Sequence, residues 1–291
     1  MKRRILAAFA ALALGVVAVF GTSSAAVAAH TPGATYVALG DSEAAGSGNM
    51  PYVDTSSCKQ SKKAYPKVLS AALGVSVVSA ACAGATTQDV AVQAGALHAA
   101  GALGSATQLV TITAGVNDIE WQKVLALCSD PNLAAECAAA KAAAIAEIPT
   151  IAPAIAQLIG FVRSLAPNAY IVVTGYPLLF GDVTGTCNAG SSQSGPVKLP
   201  AQLVAEVNQG VSGINAFIAG GVAAYMAAVP ADIGVEYVDV SVAFDGHGLC
   251  DTGDRWIFGF SAGEPNIDRG FHANAAGQQA WAATIQAALV G

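Results

Sequence analysis

The stretch Tyr36-Val37-Ala38-Leu39-Gly40-Asp41-Ser42-Glu43-Ala44-Ala45-Gly46-Ser47-Gly48 opens as a short apolar run and breaks at Gly40 into small and polar residues. A partly β-branched run of that length predicts a strand, and the residues after the break can open a helix. In an open α/β sheet such a turn lies at the carboxyl end of a strand, where ligands bind, so Ser42 is a candidate nucleophile. The plainer alternative is that Asp41 and Ser42 cap the helix, since both side chains accept hydrogen bonds from its first N–H groups. Read alone, the stretch favours the cap.

The rest of the chain repeats the pattern. An amphipathic segment from Ala64 to Leu73 ends at Gly74, and Val75 to Ala80 reads as a second strand running into Cys82-Ala83-Gly84-Ala85-Thr86-Thr87. Thr86 or Thr87 can cap a helix from about Gln88 to Ala100, after which Leu109 to Thr113 reads as a third strand and breaks at Gly115-Val116-Asn117-Asp118. Alternation of this kind calls for a parallel sheet with right-handed crossovers. An Ala-rich helical region, Leu133 to Ile148, is interrupted by Pro149 and Pro153. Ile151, Ile155, Leu158, Val162 and Leu165 then mark one buried helix face. Tyr170 to Thr174 is a fourth strand, and a Gly/Ser-rich loop without a pattern of its own runs to Pro200. Leu203, Val207, Val211, Ile214 and Ile218 mark a helix from Gln202 to about Met226; Val235 to Val240 is the fifth strand, followed by a long loop, Ser241 to Phe271. The last helix starts at Asn274, a good cap, with Trp281, Ile285 and Leu289 stacked as core.

The amino terminus has a different character. Lys2-Arg3-Arg4, an apolar run from Ile5 to Phe20 and small residues ending Ala26-Val27-Ala28-Ala29 have the layout of a secretory signal peptide, expected to cover residues 1–29. Residues 30–291 are then expected to be one exported domain, and later apolar runs are interrupted, so stable membrane insertion is not expected. The formal net charge is −6, and −9 once the three basic residues leave with the leader. No basic cluster survives to hold nucleic acid or anionic lipid. All six cysteines lie after the leader, and an even number in an exported chain argues for three disulfides. Sequence order suggests Cys58–Cys82, Cys128–Cys137 and Cys187–Cys250 among 15 possible pairings. A metal site is not expected: His247 and Cys250 are the nearest approach to a ligand cluster.

In the doubly wound strand order 2-1-3-4-5 the breaks at Ser42, Gly84 and Asn117 meet at one edge of the sheet. Acyl transfer needs a nucleophile, a base and donors aimed at the developing oxyanion. The backbone N–H groups of Ser42 and Gly84 and the Asn117 amide are candidate donors, although alone Gly84 reads as a turn glycine and Asn117-Asp118 as a cap. A serine needs a base, usually histidine. His30 lies at the processed terminus, His98 inside a helix and His247 in a disulfide loop; His272, before a capped helix, is the candidate base.

These blocks carry a resemblance. Gly40-Asp41-Ser42, the Gly84 turn, Gly115-Val116-Asn117-Asp118 and Phe271-His272-Ala273-Asn274-Ala275-Ala276-Gly277 resemble the four blocks of the SGNH hydrolases, also called GDSL esterases and lipases, over essentially the whole mature chain. The order, the leader and the motif His247-Gly248-Leu249-Cys250 resemble the secreted bacterial branch with three disulfides. The resemblance implies a flavodoxin-like three-layer α/β/α fold with a five-stranded parallel sheet. It also implies cofactor-free hydrolysis of lipid or other small acyl esters by a secreted monomer, with Ser42 as nucleophile, His272 as base, and Gly84 and Asn117 in the oxyanion hole. Two positions depart from the family. Where an Asp often stands three residues before the histidine, this chain has Arg269, with Asp268 one residue further away. Either Asp268 reaches the imidazole, or a backbone carbonyl near Arg269 or Gly270 holds it in a Ser–His dyad. Glu43 replaces a hydrophobic or aromatic residue and is expected to be solvated in the first helical turn. The competing function is a catalytically impaired exported binding module with Glu43 as its mark; retention of Ser42, Gly84, Asn117 and His272 argues against it. An electron carrier on the same fold is opposed by export, the disulfides and the lack of a phosphate-cradling loop near Ser42.

Overall fold

A computed structural model describes residues 35–128, 131–192, 195–261 and 269–290. The leader, His30 and Asp268 lie outside the described residues. The strands β1 (Tyr36–Gly40), β2 (Val77–Ser79), β3 (Leu109–Thr113) and β4 (Tyr170–Thr174) form one sheet with a fifth strand at Val235–Val238, which is β7 in chain order. Strand order is β2-β1-β3-β4-β7, all parallel, as the alternating pattern requires. Every residue of β1 and β3 is buried, which is why both read as continuous apolar runs rather than alternating ones.

Register brings the carboxyl ends of the central strands level: Gly40 pairs with Thr113 and Thr113 with Thr174. Polar groups buried here are satisfied within the protein. The Thr113 hydroxyl bonds the hydroxyls of Tyr65 and Thr174, each at 2.8 Å. The helices are α1 (Ser42–Ala45), α2 (Tyr65–Leu73), α3 (Thr87–Ala99), α4 (Trp121–Cys128), α5 (Ala134–Glu147), α6 (Ile151–Leu165), α7 (Ala201–Ala228) and α8 (Ala275–Val290). α2 packs on α8, and α6 packs on both α3 and α7, so helices flank the sheet. The predicted face of α6 is buried through Ile151, Ile155, Leu158 and Val162, with Leu165 partly covered.

Two stretches, Ala134–Leu165 and Ala201–Ala228, meet the length and composition of a membrane span, where the sequence reading expects none. The first is two helices, α5 and α6, joined by a 3-10 turn at Ile148–Thr150; the second buries Ile214, Ile218 and Val222 and packs on α6. The stretch before Pro200 departs from the patternless loop expected from the sequence. It holds an antiparallel hairpin, β5 (Thr186–Ser192) with β6 (Gly195–Pro200), joined by β8 (Phe260–Ser261) in a second sheet. Its Gly, Ser and Pro residues have poor strand propensity, so only pairing identifies it. The disulfides join Cys58 to Cys82, Cys128 to Cys137 and Cys187 to Cys250, as sequence order suggests. His247 stacks on Trp256 and its Nδ1 lies 2.7 Å from the Asp254 carbonyl.

Candidate active site

Gly40 ends β1 with both backbone polar groups held by one side chain: Gln93 of α3 accepts from its N–H and donates to its carbonyl, each at 2.9 Å. The chain then turns into α1. Asp41 is the N-cap, its Oδ1 accepting the Glu43 N–H at 2.9 Å, so the capping role belongs to Asp41. Ser42, the first helical residue, is left to point its hydroxyl elsewhere. Its Oγ lies 2.7 Å from His272 Nε2, across 230 residues of chain. Both side chains are nearly enclosed, at 6% and 8% exposure.

His272 is positioned by its own loop. Phe258 donates its N–H to the His272 carbonyl and accepts at its own carbonyl from Phe271, both at 2.8 Å, pinning the loop like a strand pair. Nδ1 lies 3.1 Å from the Gly270 carbonyl, one of the two partners the sequence leaves open. Asn274 starts α8 as expected, its Oδ1 accepting from Ala276 and Gly277.

Gly84 has φ +82°, a conformation that disfavours side chains, although a Cβ would have nothing within 4 Å. The demand at this turn is therefore on the backbone and not on space. Asn117 donates from Nδ2 to the Ala85 carbonyl at 3.0 Å, while its Oδ1 accepts from Trp121 Nε1 and Gln122 Nε2, each at 3.2 Å. Two donors on the oxygen fix the amide so that its N–H groups face the Gly84 turn. Asp118 holds the same turn from the other side, accepting the Thr87 N–H at 3.1 Å and its hydroxyl at 2.6 Å. Thr86 is the α3 cap, in a capping box with Asp89.

Glu43 is not solvated. It is 5% exposed and accepts the Ala273 N–H at 3.2 Å, and Gln278 Nε2 donates to its carbonyl at 3.1 Å. Asn49 Nδ2 donates to the Ala273 carbonyl at 2.9 Å. Glu43 and Asn49 thus clamp the backbone next to His272 onto the segment that carries Ser42. Asp41 is buried too, its Oδ2 accepting from the Tyr176 hydroxyl at 2.6 Å, while Asn215 fixes the Tyr176 backbone with two 2.8 Å bonds. Sequence reasoning missed Asn49, Gln93, Tyr176, Asn215 and Gln278. Each is a lone polar residue in a segment read for other reasons, and only a polar residue breaking an apolar helix face, as in Gln93 and Asn215, leaves a signal.

Burial, with repulsion from Asp41 added, pushes Glu43 from 4.5 up to about 8, and burial pushes Asp41 from 3.8 up to about 7. The folded chain therefore favours the neutral Glu43, and as pH rises the unfolded chain loses that proton first. Stability from this group is intact below about pH 4.5 and falls until about pH 8. Glu43→Gln cannot ionise and keeps an oxygen for Ala273. It should match the parent near pH 4 and melt roughly 2–6 °C higher near pH 8. Thermal denaturation at both pH values checks this; an equal shift at both would mean that ionisation is not involved.

Two cavities meet at Ser42, His272, Trp121, Phe271 and Leu203. One, about 740 Å³, is walled by apolar residues of α4, α5 and α7, among them Val124, Ile145, Val207, Ile214 and Phe217. Leu203 and Val207 lie on the stripe whose periodicity marks α7 as a helix, and they face this cavity. The other, about 930 Å³, runs past Gly84 and the hairpin residues Pro196 to Pro200. Residues of the two stretches read as long loops, among them Pro196 to Pro200, Phe260 and Gly270, border the second cavity, and helices build most of the first. Among the described residues no group of three or more His, Cys, Asp or Glu is arranged for a metal.

The protein is thus a doubly wound α/β protein with a serine hydroxyl against an imidazole, and an apolar cavity beside them, at the carboxyl edge of its parallel sheet. A family model described as GDSL-like lipase/acylhydrolase matches residues 38–280, and the chain belongs to that family. It is 34% identical over 283 residues to a lipase of Streptomyces rimosus, spanning 96% of this chain and 95% of the relative. It is also 34% identical over 264 residues to Lipase 1 of Streptomyces coelicolor, spanning 88% of each. Among solved structures, phospholipase A1 from Streptomyces albidoflavus NA297 superposes with a TM-score of 0.71 at 32% identity, covering 87% of this chain and 98% of that one. The extracellular lipase of Streptomyces rimosus superposes with a TM-score of 0.70 at 30% identity, with the same coverage. The protein is a carboxylic ester hydrolase.

Proposed function

We propose that the chain is an exported esterase or lipase that cleaves acyl esters through Ser42 and His272. The 2.7 Å contact between Ser42 Oγ and His272 Nε2 carries this reading. Ser42 Oγ adds to the acyl carbon while His272 Nε2 takes its proton. The carbonyl oxygen becomes an oxyanion held by the Ser42 and Gly84 N–H groups and the Asn117 amide, each worth about two to three orders of magnitude in rate. Collapse breaks the ester C–O bond, and the imidazolium returns the proton to the departing alcohol. Water, deprotonated by the same imidazole, then attacks the acyl-enzyme, releasing the acid and restoring Ser42. The Gly270 carbonyl accepts from His272 Nδ1–H, which leaves Nε2 as the basic nitrogen. The acyl chain lies in the helix-walled apolar cavity. Export through a cleaved leader accords with the three disulfides.

Burial of Glu43 favours an active enzyme over an impaired module, because its carboxyl supports the His272 loop through Ala273. The experiment is hydrolysis of p-nitrophenyl esters of increasing chain length, with fluorophosphonate labelling. Activity that rises from acetyl to medium or long acyl chains, with the label on Ser42, is expected. A protein silent on every ester and unlabelled would refute the mechanism and leave the binding module.

A further inference from the structure

Helix α7 carries a glycine that its packing does not explain. Leu203, Val207, Gly210, Ile214 and Phe217 follow one another at steps of four and three residues, so they share one face of the helix, and all of them line the apolar cavity. The others on this face present large apolar side chains. Gly210 presents none, and a Cβ built there would meet nothing within 4 Å among the described residues. Gly213, at the edge of the same face, lines the cavity and is open in the same way.

Glycine is the poorest helix former after proline, because it gives up the most backbone freedom and buries no side chain. Close approach of a neighbour is one compensation, and the next position on this face shows it. At Gly221 a Cβ would stand 2.5 Å from the Ala152 carbonyl oxygen and 2.8 Å from Ile155 Cβ, so α6 packs against bare backbone there. Nothing described packs on Gly210 in that way. What its missing side chain leaves is cavity space. Ala144 and Ile145 of α5 line the same cavity, and Lys141 of α5 reaches Glu206 of α7 at 2.6 Å. An ion pair thus spans the gap between the two helices, while Gly210 leaves the gap unfilled. The cavity reaches Ser42 and His272.

We infer that Gly210 is a specificity-determining residue: it keeps the apolar cavity open for a long acyl chain between α5 and α7, and the residue at this position sets the longest chain the enzyme accepts. The inference rests on the acyl-ester reading above and narrows it from acyl esters in general to long-chain ones.

The test measures kcat/KM on p-nitrophenyl butanoate and p-nitrophenyl dodecanoate for the parent, Gly210→Ala, Gly210→Leu and Gly220→Leu. Gly220 is the control: it is an exposed glycine of the same helix, equally open at its Cβ, but it borders neither cavity. Each methylene driven out of the cavity is worth about fourfold in rate. The dodecanoate-to-butanoate ratio should therefore fall about fourfold in Gly210→Ala and about 15-fold in Gly210→Leu, and stay within about twofold of the parent in Gly220→Leu. Gly210→Ala should also raise Tm by about 2–4 °C, because alanine favours the helix, so long-chain activity is lost without damage to the fold. A parent that hydrolyses the butanoate and not the dodecanoate, a ratio unchanged in Gly210→Leu, or an equal fall in Gly220→Leu would overturn the inference and leave the hydrolase intact. An equal loss on both esters would assign Gly210 to the pliancy of α7 and overturn it as well. A parent inactive on both esters and unlabelled by fluorophosphonate would overturn the acyl-ester reading itself.

Discussion

Ser42→Ala is expected to lower kcat/KM for an acyl ester by about five to six orders of magnitude while leaving the fold unchanged. The two halves of this expectation have separate causes. The helix α1 is capped by the Asp41 carboxylate, so removing the Ser42 hydroxyl takes no hydrogen bond from the helix terminus. What it removes is the atom 2.7 Å from His272 Nε2, and with it the covalent route. His272→Ala should cost a similar amount, and the double variant little more, because the two groups act as one unit. The measurement is steady-state hydrolysis of one p-nitrophenyl ester, with circular dichroism to check the fold. A Ser42→Ala enzyme within tenfold of the parent would mean that another residue is the nucleophile.

The second large effect is structural. Gly40→Ala should cost about 4 kcal/mol of stability, enough to prevent accumulation of folded protein in a marginal background. Gly40 has φ +149°, and a Cβ there would sit 2.6 Å from the Thr113 carbonyl oxygen and 2.9 Å from Ala44 Cβ. Neither side can yield easily. Thr113 is the register partner of Gly40 in the central pair of strands, and Gln93 holds both backbone polar groups of Gly40. Gly74→Ala is the control: it also has positive φ, +67°, but its Cβ would meet nothing within 4 Å. It should cost only about 1 kcal/mol, the backbone contribution alone. Urea denaturation of both variants distinguishes them, and equal losses would show that conformation rather than close approach governs Gly40.

These two effects locate the site on the one turn that local sequence describes well. An apolar run ending in Gly-Asp-Ser carries its own strand, its own break and its own helix cap, so β1, the turn and α1 follow from neighbours in the chain. The same holds for Thr86 at the start of α3, for the apolar face of α6 and for Asn274 at the start of α8, all of which rest on interactions within a few residues. Strand order followed as well, because alternating strands and helices admit few right-handed arrangements.

What local pattern cannot supply is the partner of an isolated polar side chain. Glu43 reads as a solvated first-turn glutamate until the segment 230 residues later lays the Ala273 N–H against it; burial and repulsion from Asp41 then favour its neutral form, against the pull of that hydrogen bond. The β5–β6 hairpin lacks strand propensity and exists through pairing, and the periodicity of Leu203 and Val207 marks a helix without showing that they line a cavity. The order and residue types of the chain determined the sheet, its turns and which residues stand at its carboxyl edge, because those are short-range matters of periodicity, capping and backbone freedom. Tertiary structure alone decided that Ser42 Oγ meets His272 Nε2, that Glu43 is buried, and that two cavities meet at that pair, because each depends on contacts between segments far apart in the chain.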